Sequence, residues 1–230
     1  MGIWNFLKRL VGKSPAINME ATKKAVAPKT SGTSVRVPTY NYVVPNGFSA
    51  MYDETLKCGR ITFYTLTADH KKLDDAAPRV DHWHDGPTLK TASYKEAAVW
   101  EAADYDRGHL VPAEDMQYDD QVCYAAYSMA NIGPQVAEFN RGLWAHIELN
   151  ARSLVSEGDV KIWTGTLFRN GTTKVIGTSH VPSHFWKVAT TAKSSHAWVV
   201  PNDKSVVGHS ADEYTVDIKT LADEVGVDFV

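Results

Sequence analysis

Apolar positions along the chain recur with two different periods. Residues 59–69, GRITFYTLTAD, alternate and are rich in β-branched and aromatic side chains, which predicts a strand. VKIWTGTLF (160–168), HFWKVATTA (184–192) and HAWVVP (196–201) read the same way. YSMANIGPQ (127–135) predicts a short strand ended by Gly133-Pro134. Residues 137–156, AEFNRGLWAHIELNARSLVS, instead carry Leu143, Ile147 and Leu154 among apolar positions at helical spacing, the best helix pattern in the chain. TVDIKTLADEVG (215–226) predicts a last helix closed by Gly226. The segment 76–96, with Pro78, Gly86 and Pro87, is turn-rich, and no repeat recurs. Strands outnumber helices without regular alternation, which predicts an α+β fold with a mainly antiparallel sheet.

The start of the chain follows a different pattern. Ile3, Phe6, Leu7, Leu10 and Val11 fall at roughly helical spacing, with Lys8, Arg9 and Lys13 between them. Such an acid-poor amphipathic segment suits an organelle presequence, a helix on a membrane surface, or a short helix docked on its own domain or on a partner. Its basic residues interrupt the apolar core that a secretory signal needs, and Phe6 stands where an acylation signal on Gly2 requires Ser or Thr. Residues 14–39 are rich in Ser, Thr, Pro, Ala and Lys without a period, as in a linker. The expected organisation is a basic arm over 1–39 and a folded domain over 40–230. No run has the apolar length of a membrane-spanning helix, and the compartment is left open.

At 230 residues the chain has room for one sizeable domain. Its formal net charge of −3 is unevenly spread: residues 1–36 carry seven Lys and Arg against one Glu, a charge of +6, which leaves the rest near −9. An anionic polymer would therefore have to be gripped by a local basic patch rather than by the field of the whole domain. Cys58 and Cys123 lie far apart and form neither a zinc motif nor a disulfide framework. Two buried, unpaired thiols are the favoured reading, with a single bridge as the alternative.

Candidate chemistry centres on DRGH, residues 106–109, in the stretch DYDRGHLVPAEDM. His109 should lie on a short strand that Pro112 bends or ends, and its near-neutral pKa range suits a general base. Arg107, two residues earlier, shares that strand face and offers a permanently charged fork, as a phosphate substrate would need. Gly108 between them allows a close approach. On the long helix Asn140, Trp144, Glu148 and Arg152 recur every four residues along one slowly drifting face. Asn140 and Glu148 stand roughly 12 Å apart along the axis, so a hard ion would take Asn140 directly and Glu148 through its waters. On pattern alone the stripe also reads as a solvated helix face, and DRGH as an exposed turn. His82, His84, His180 and His184 raise a zinc hydrolase as a rival.

Taken together, these blocks resemble the DNA/RNA non-specific endonuclease family of ββα-metal nucleases, the group that includes endonuclease G. The resemblance rests on DRGH (106–109), MANIGPQ (129–135), FNRGLWAHIE (139–148), WTGTLF (163–168) and HVPSHFWKV (180–188), in order over most of Tyr40 to the C-terminus. It implies a His-Me finger fold with a central antiparallel sheet flanked by helices. It also implies a metal-dependent endonuclease acting on DNA and/or RNA with little sequence specificity. In that reading His109 is the general base and Asn140 the direct ligand of one Mg2+, for which Mn2+ can substitute. Glu148 holds the water shell of the ion, and Asn131 sits beside the scissile phosphate, orienting His109 or the metal site. Arg107 stabilises phosphate charge, with Arg79 as a second, more loosely aligned arginine. Asp106 braces the arginine or the turn, while Asp104, Glu114 and Asp115 are surface and scaffold. Ala130, Gly133 and Thr166 depart from family-typical residues without touching this chemistry. Family members often dimerise, so a homodimer is compatible with the resemblance. The contrasting possibility is a catalytically idle nuclease-derived module, with the basic arm gripping nucleic acid, a membrane surface or a partner.

Overall fold

The alternation over residues 58–66 becomes a strand at the centre of the molecule. The computed structural model describes residues 35–72, 81–169 and 174–229. In chain order its elements are β1 (Tyr42–Val43), β2 (Phe48–Asp53), β3 (Cys58–Leu66), α1 (Ala68–Lys72), α2 (Ala97–Glu101), β4 (Tyr105–His109), α3 (Asp120–Ala126) and β5 (Ile132–Val136). There follow α4 (Ala137–Phe139), a π-turn (Asn140–Trp144), α5 (Ala145–Ser153), β6 (Val160–Leu167), β7 (Val175–Ile176) and β8 (Ser179–His180). The last elements are β9 (His184–Thr190), β10 (Ser195–Pro201) and α6 (Ile218–Val225), with short 3-10 turns between several of them.

Six strands form one sheet in the order β1-β2-β3-β6-β9-β10, every neighbouring pair antiparallel. Phe185 and Ala189 of β9, with Trp198 and Val200 of β10, face one layer, where Trp144 and Ile147 of the long helical segment pack. Trp186, Val188, Ala197 and Val199 face the other, under Leu221 of α6. Both faces are thus covered, which is why β6 and β9 read as nearly continuous apolar runs. Helix α6 is stopped as its sequence predicts: Asp217 Oδ1 accepts the Thr220 amide at 2.8 Å, and Gly226 takes the left-handed conformation at φ 70°.

The site is built on a smaller unit in which β4 and β5 pair as an antiparallel ribbon, Arg107 opposite Pro134 and His109 opposite Ile132. Here the strand expected over 127–135 is displaced. Met129–Asn131 is a 3-10 turn capped by Ser128, and the strand begins at Ile132 and runs through Gly133-Pro134 instead of ending there. A two-stranded ribbon has a free edge on each strand, where a residue without N–H is tolerated. The first strand also ends earlier than its pattern suggests, at Leu66, with α1 taking over from Ala68.

The described residues belong to one compact unit, Val35–Val230. Arg36, inside the expected linker, is anchored: its guanidinium binds Asp228 at 2.8 Å and Asp223 at 3.1 Å. The amphipathic pattern at 3–13 and the linker as far as residue 34 lie outside the described residues, as does Arg79. Cys58 and Cys123 are both buried and form no disulfide.

Candidate active site

A cleft of about 320 Å3 opens where the ribbon meets the long helical segment. Arg107 and His109 reach it from the same face of β4, Asn140 from the π-turn, and Trp83 from the loop before α2. That loop is anchored beside the ribbon, because the Met129 amide donates to the His84 carbonyl at 3.0 Å. The His109 ring lies 5.1 Å from Trp83 and meets Tyr127 edge-on at 5.3 Å, and Trp83 meets Tyr127 edge-on at 5.2 Å. His109 is thereby held by aromatic walls and is only half-buried.

Gly108 does allow a close approach, but to protein. A Cβ at this position would stand 2.5 Å from Gln135 Cβ, and Gln135 is completely buried.

Asp106 braces an arginine, as expected, but the arginine is Arg141. Arg141 Nε and one terminal nitrogen grip the two Asp106 oxygens at 2.9 and 2.6 Å. Asn140 Nδ2 donates to the same carboxylate at 2.8 Å. An ionised carboxylate only accepts, so this bond also fixes which way the amide points. Asn140 Oδ1 is left without a hydrogen bond among the described residues.

Asn131 is placed differently from the expectation. Its side chain is fully buried behind the ribbon rather than beside a phosphate. Oδ1 accepts the Val111 amide at 2.9 Å, while Nδ2 donates to the carbonyls of Val111 at 2.9 Å and Ala126 at 3.0 Å. Both amide protons are used, so Asn131 anchors the backbone two residues past His109 and has none to offer a substrate. The signal for this role is absent from the sequence, since the same asparagine would suit a cleft equally well.

The helix stripe is not a solvated face. Trp144 is fully buried, Glu148 half-buried, and Arg152 donates to Asp115 at 2.5 Å. Asp115 itself is buried and also accepts the Tyr64 hydroxyl at 2.5 Å, so it is scaffold but not surface. Burial holds the Glu148 carboxyl above the usual carboxylate range; Lys187 opposes this and Asp115 adds to it. Lys187 is wholly buried on β9, donating to Thr164 Oγ1 at 2.7 Å, and burial lowers its pKa against the pull of Glu148 and Asp115.

The π-turn changes the relation of Asn140 to Glu148. Eight residues of plain α-helix overshoot two turns by roughly 80°. The wider turn absorbs about one extra residue, which brings the two positions within about 20° of one face. Glu148 itself does not line the cleft.

The donor set suits a hard divalent ion: one oriented amide oxygen, with a carboxylate on the same helix face. Among the described residues no three His, Cys, Asp or Glu side chains converge to hold a metal. The four histidines of the zinc reading therefore do not gather: His82 and His84 pack on Tyr124, and His184 Nδ1 lies 2.9 Å from Ser183 Oγ.

An antiparallel pair of strands leading directly into a helix, with a histidine on the first strand and an asparagine at the helix start, defines a ββα-metal nuclease. A family model described as DNA/RNA non-specific endonuclease matches residues 28–230. The chain belongs to that family. It is similar to Nuclease 1, mitochondrial, of Schizosaccharomyces pombe, with 25% identity over 84% of this chain and 67% of the relative. Nuclease C1 of Cunninghamella echinulata var. echinulata is 31% identical over 60% of this chain and 62% of its own length. Human mitochondrial endonuclease G is 28% identical over 58% of this chain and 50% of its own. Beyond the first of these, the chain spans between 40% and 62% of the length of the relatives it matches. The fold is that of a solved EndoG/EndoGI complex, with a TM-score of 0.70 over 84% of this chain and 86% of that one at 24% identity.

Proposed function

We propose that the domain hydrolyses phosphodiester bonds of DNA and/or RNA with little sequence specificity. One observation carries the reading: His109, an Arg107 guanidinium with no carboxylate partner among the described residues, and an acceptor-only amide edge at Asn140 share one cleft. In this reaction His109 takes a proton from the attacking water. Arg107 donates to the non-bridging phosphate oxygens, with Arg79 as a second cation. Asn140 Oδ1 would hold Mg2+, or Mn2+ in its place, with Glu148 acting through water. When bound, such an ion stabilises charge on the phosphate and on the leaving oxygen. Asn131 keeps the end of β4, and with it His109, in register. Contacts of this kind address the backbone rather than base edges, which supports tolerance of sequence and sugar.

The test is incubation with circular DNA and with RNA, with Mg2+ and with chelator. The wild type cleaves one or both of them, and only with the ion. His109→Ala keeps its fold and its ion binding but loses about 10²–10⁴-fold in rate, and undiminished cleavage by that variant would refute the reading. An idle binding module would instead retain nucleic acid without cutting it. Homodimerisation is part of the same proposal, checked by the mass in solution. The mitochondrial names of several relatives, with the acid-poor start of the chain, support organelle targeting by residues 1–18. A fusion of that segment to a fluorescent protein tests it.

A further inference from the structure

Trp83 stands at the site although no motif marks it. Arg107 Cζ lies 4.0 Å from the centre of its ring, over the face. Among the described residues Arg107 has no hydrogen bond and no ion pair, so the ring is its one specific contact. Glu101, Asp81 and Asp106 act on it across a gap rather than by direct pairing. Neighbouring Arg141 is held in the opposite way, with two of its nitrogens committed to Asp106.

The difference matters for a group that must receive a phosphate. A carboxylate orients a guanidinium by consuming its donors and neutralising its charge. An aromatic face orients the same plane by stacking and leaves every N–H at the rim free. The stack also competes with water over the one face it covers, and Arg107 lines the cleft that His109 and Asn140 share. Trp83 touches His109 as well, so one indole sets the spacing between the two groups.

We infer that Trp83 is a positioning residue of the nuclease site, holding the Arg107 fork edge-on to the phosphate without neutralising it. The inference rests on the phosphodiesterase reading above. Its test is a double-mutant cycle on Mg2+-dependent cleavage of a defined duplex, with kcat and KM measured separately. Trp83→Leu lowers kcat about tenfold with little change in KM, whereas Trp83→Phe, which keeps a ring face, restores most of the rate. In an Arg107→Ala background Trp83→Leu costs less than about twofold further, because the group it positions is gone.

Additive losses in the cycle, or no rescue by phenylalanine, overturn the inference. Should Trp83→Leu not fold, the cycle is run with Trp83→Phe, whose smaller loss must likewise vanish beside Arg107→Ala. A wild type inert toward DNA and RNA overturns the nuclease reading itself. An active wild type with a defective Arg107→Ala and an additive cycle overturns only the role of Trp83.

Discussion

Asp106 binds two residues that are adjacent in sequence, and the two bonds do different things. The bidentate grip on Arg141 is largely exposed and contributes little stability by itself. On the proposed reading the bond to Asn140 Nδ2 matters more to function, because it engages the amide nitrogen and leaves the oxygen for an ion. Without it, the amide is free to present its nitrogen, which repels a cation. Asp106→Ala should therefore weaken Mn2+ or Mg2+ binding about 10- to 100-fold, read by calorimetric titration, while leaving the melting temperature nearly unchanged. His109→Ala, in contrast, should leave the titration alone. Equal ion affinity in wild type and Asp106→Ala would show that the ligand oxygen is oriented by something else.

The β4–β5 ribbon owes its tight fit to small residues on facing strands. Gly108 lies opposite Gly133, and the buried Gln135 fills the space that a side chain on Gly108 would take. Gly133 is confined less tightly: a Cβ there would meet Cys58 Sγ at 3.1 Å. Gly108→Ala must push the ribbon apart, so it should destabilise by about 1–3 kcal/mol and displace His109 and Arg107 together. A fall in thermal stability with a parallel fall in kcat is the expected outcome. An unaltered melting curve would mean that Gln135 can move aside. The adjoining π-turn is the second local irregularity, and it too serves the site by rotating Asn140 toward the face of Glu148.

The sheet carries an apolar layer on each face, and Cys58, buried at the start of β3, reports on its integrity. Burial pushes its thiol up to about 12, so at pH 8 only on the order of one thiol in ten thousand is ionised. Cys123 is buried too, on α3. Native protein should resist alkylation at both positions, and labelling should appear only as the chain unfolds in denaturant. Mass spectrometry across the unfolding transition checks this. Rapid labelling of Cys58 in native buffer would show that the sheet opens locally at β3.

Much of this was legible in the sequence because periodicity records which face of an element is buried. The alternation along β3, β6, β9 and β10, the helical spacing over 137–156 (α-helical as far as Ser153) and the stop at Gly226 all follow from that, and His109, Arg107 and Asn140 could be named from their blocks. What periodicity does not record is the partner. Asp106 chose Arg141, 35 residues away, over its immediate neighbour Arg107. Asn131 turned inward to backbone carbonyls, and Trp83 came from a turn-rich loop to lie on Arg107. Each of these is a contest between chemically equivalent partners, decided by which one the packed backbone brings within hydrogen-bonding or stacking distance. Sequence alone pointed to the family and to the residues proposed to carry its chemistry; only the tertiary structure decided how each is aimed, because direction is a property of the surroundings and not of the residue.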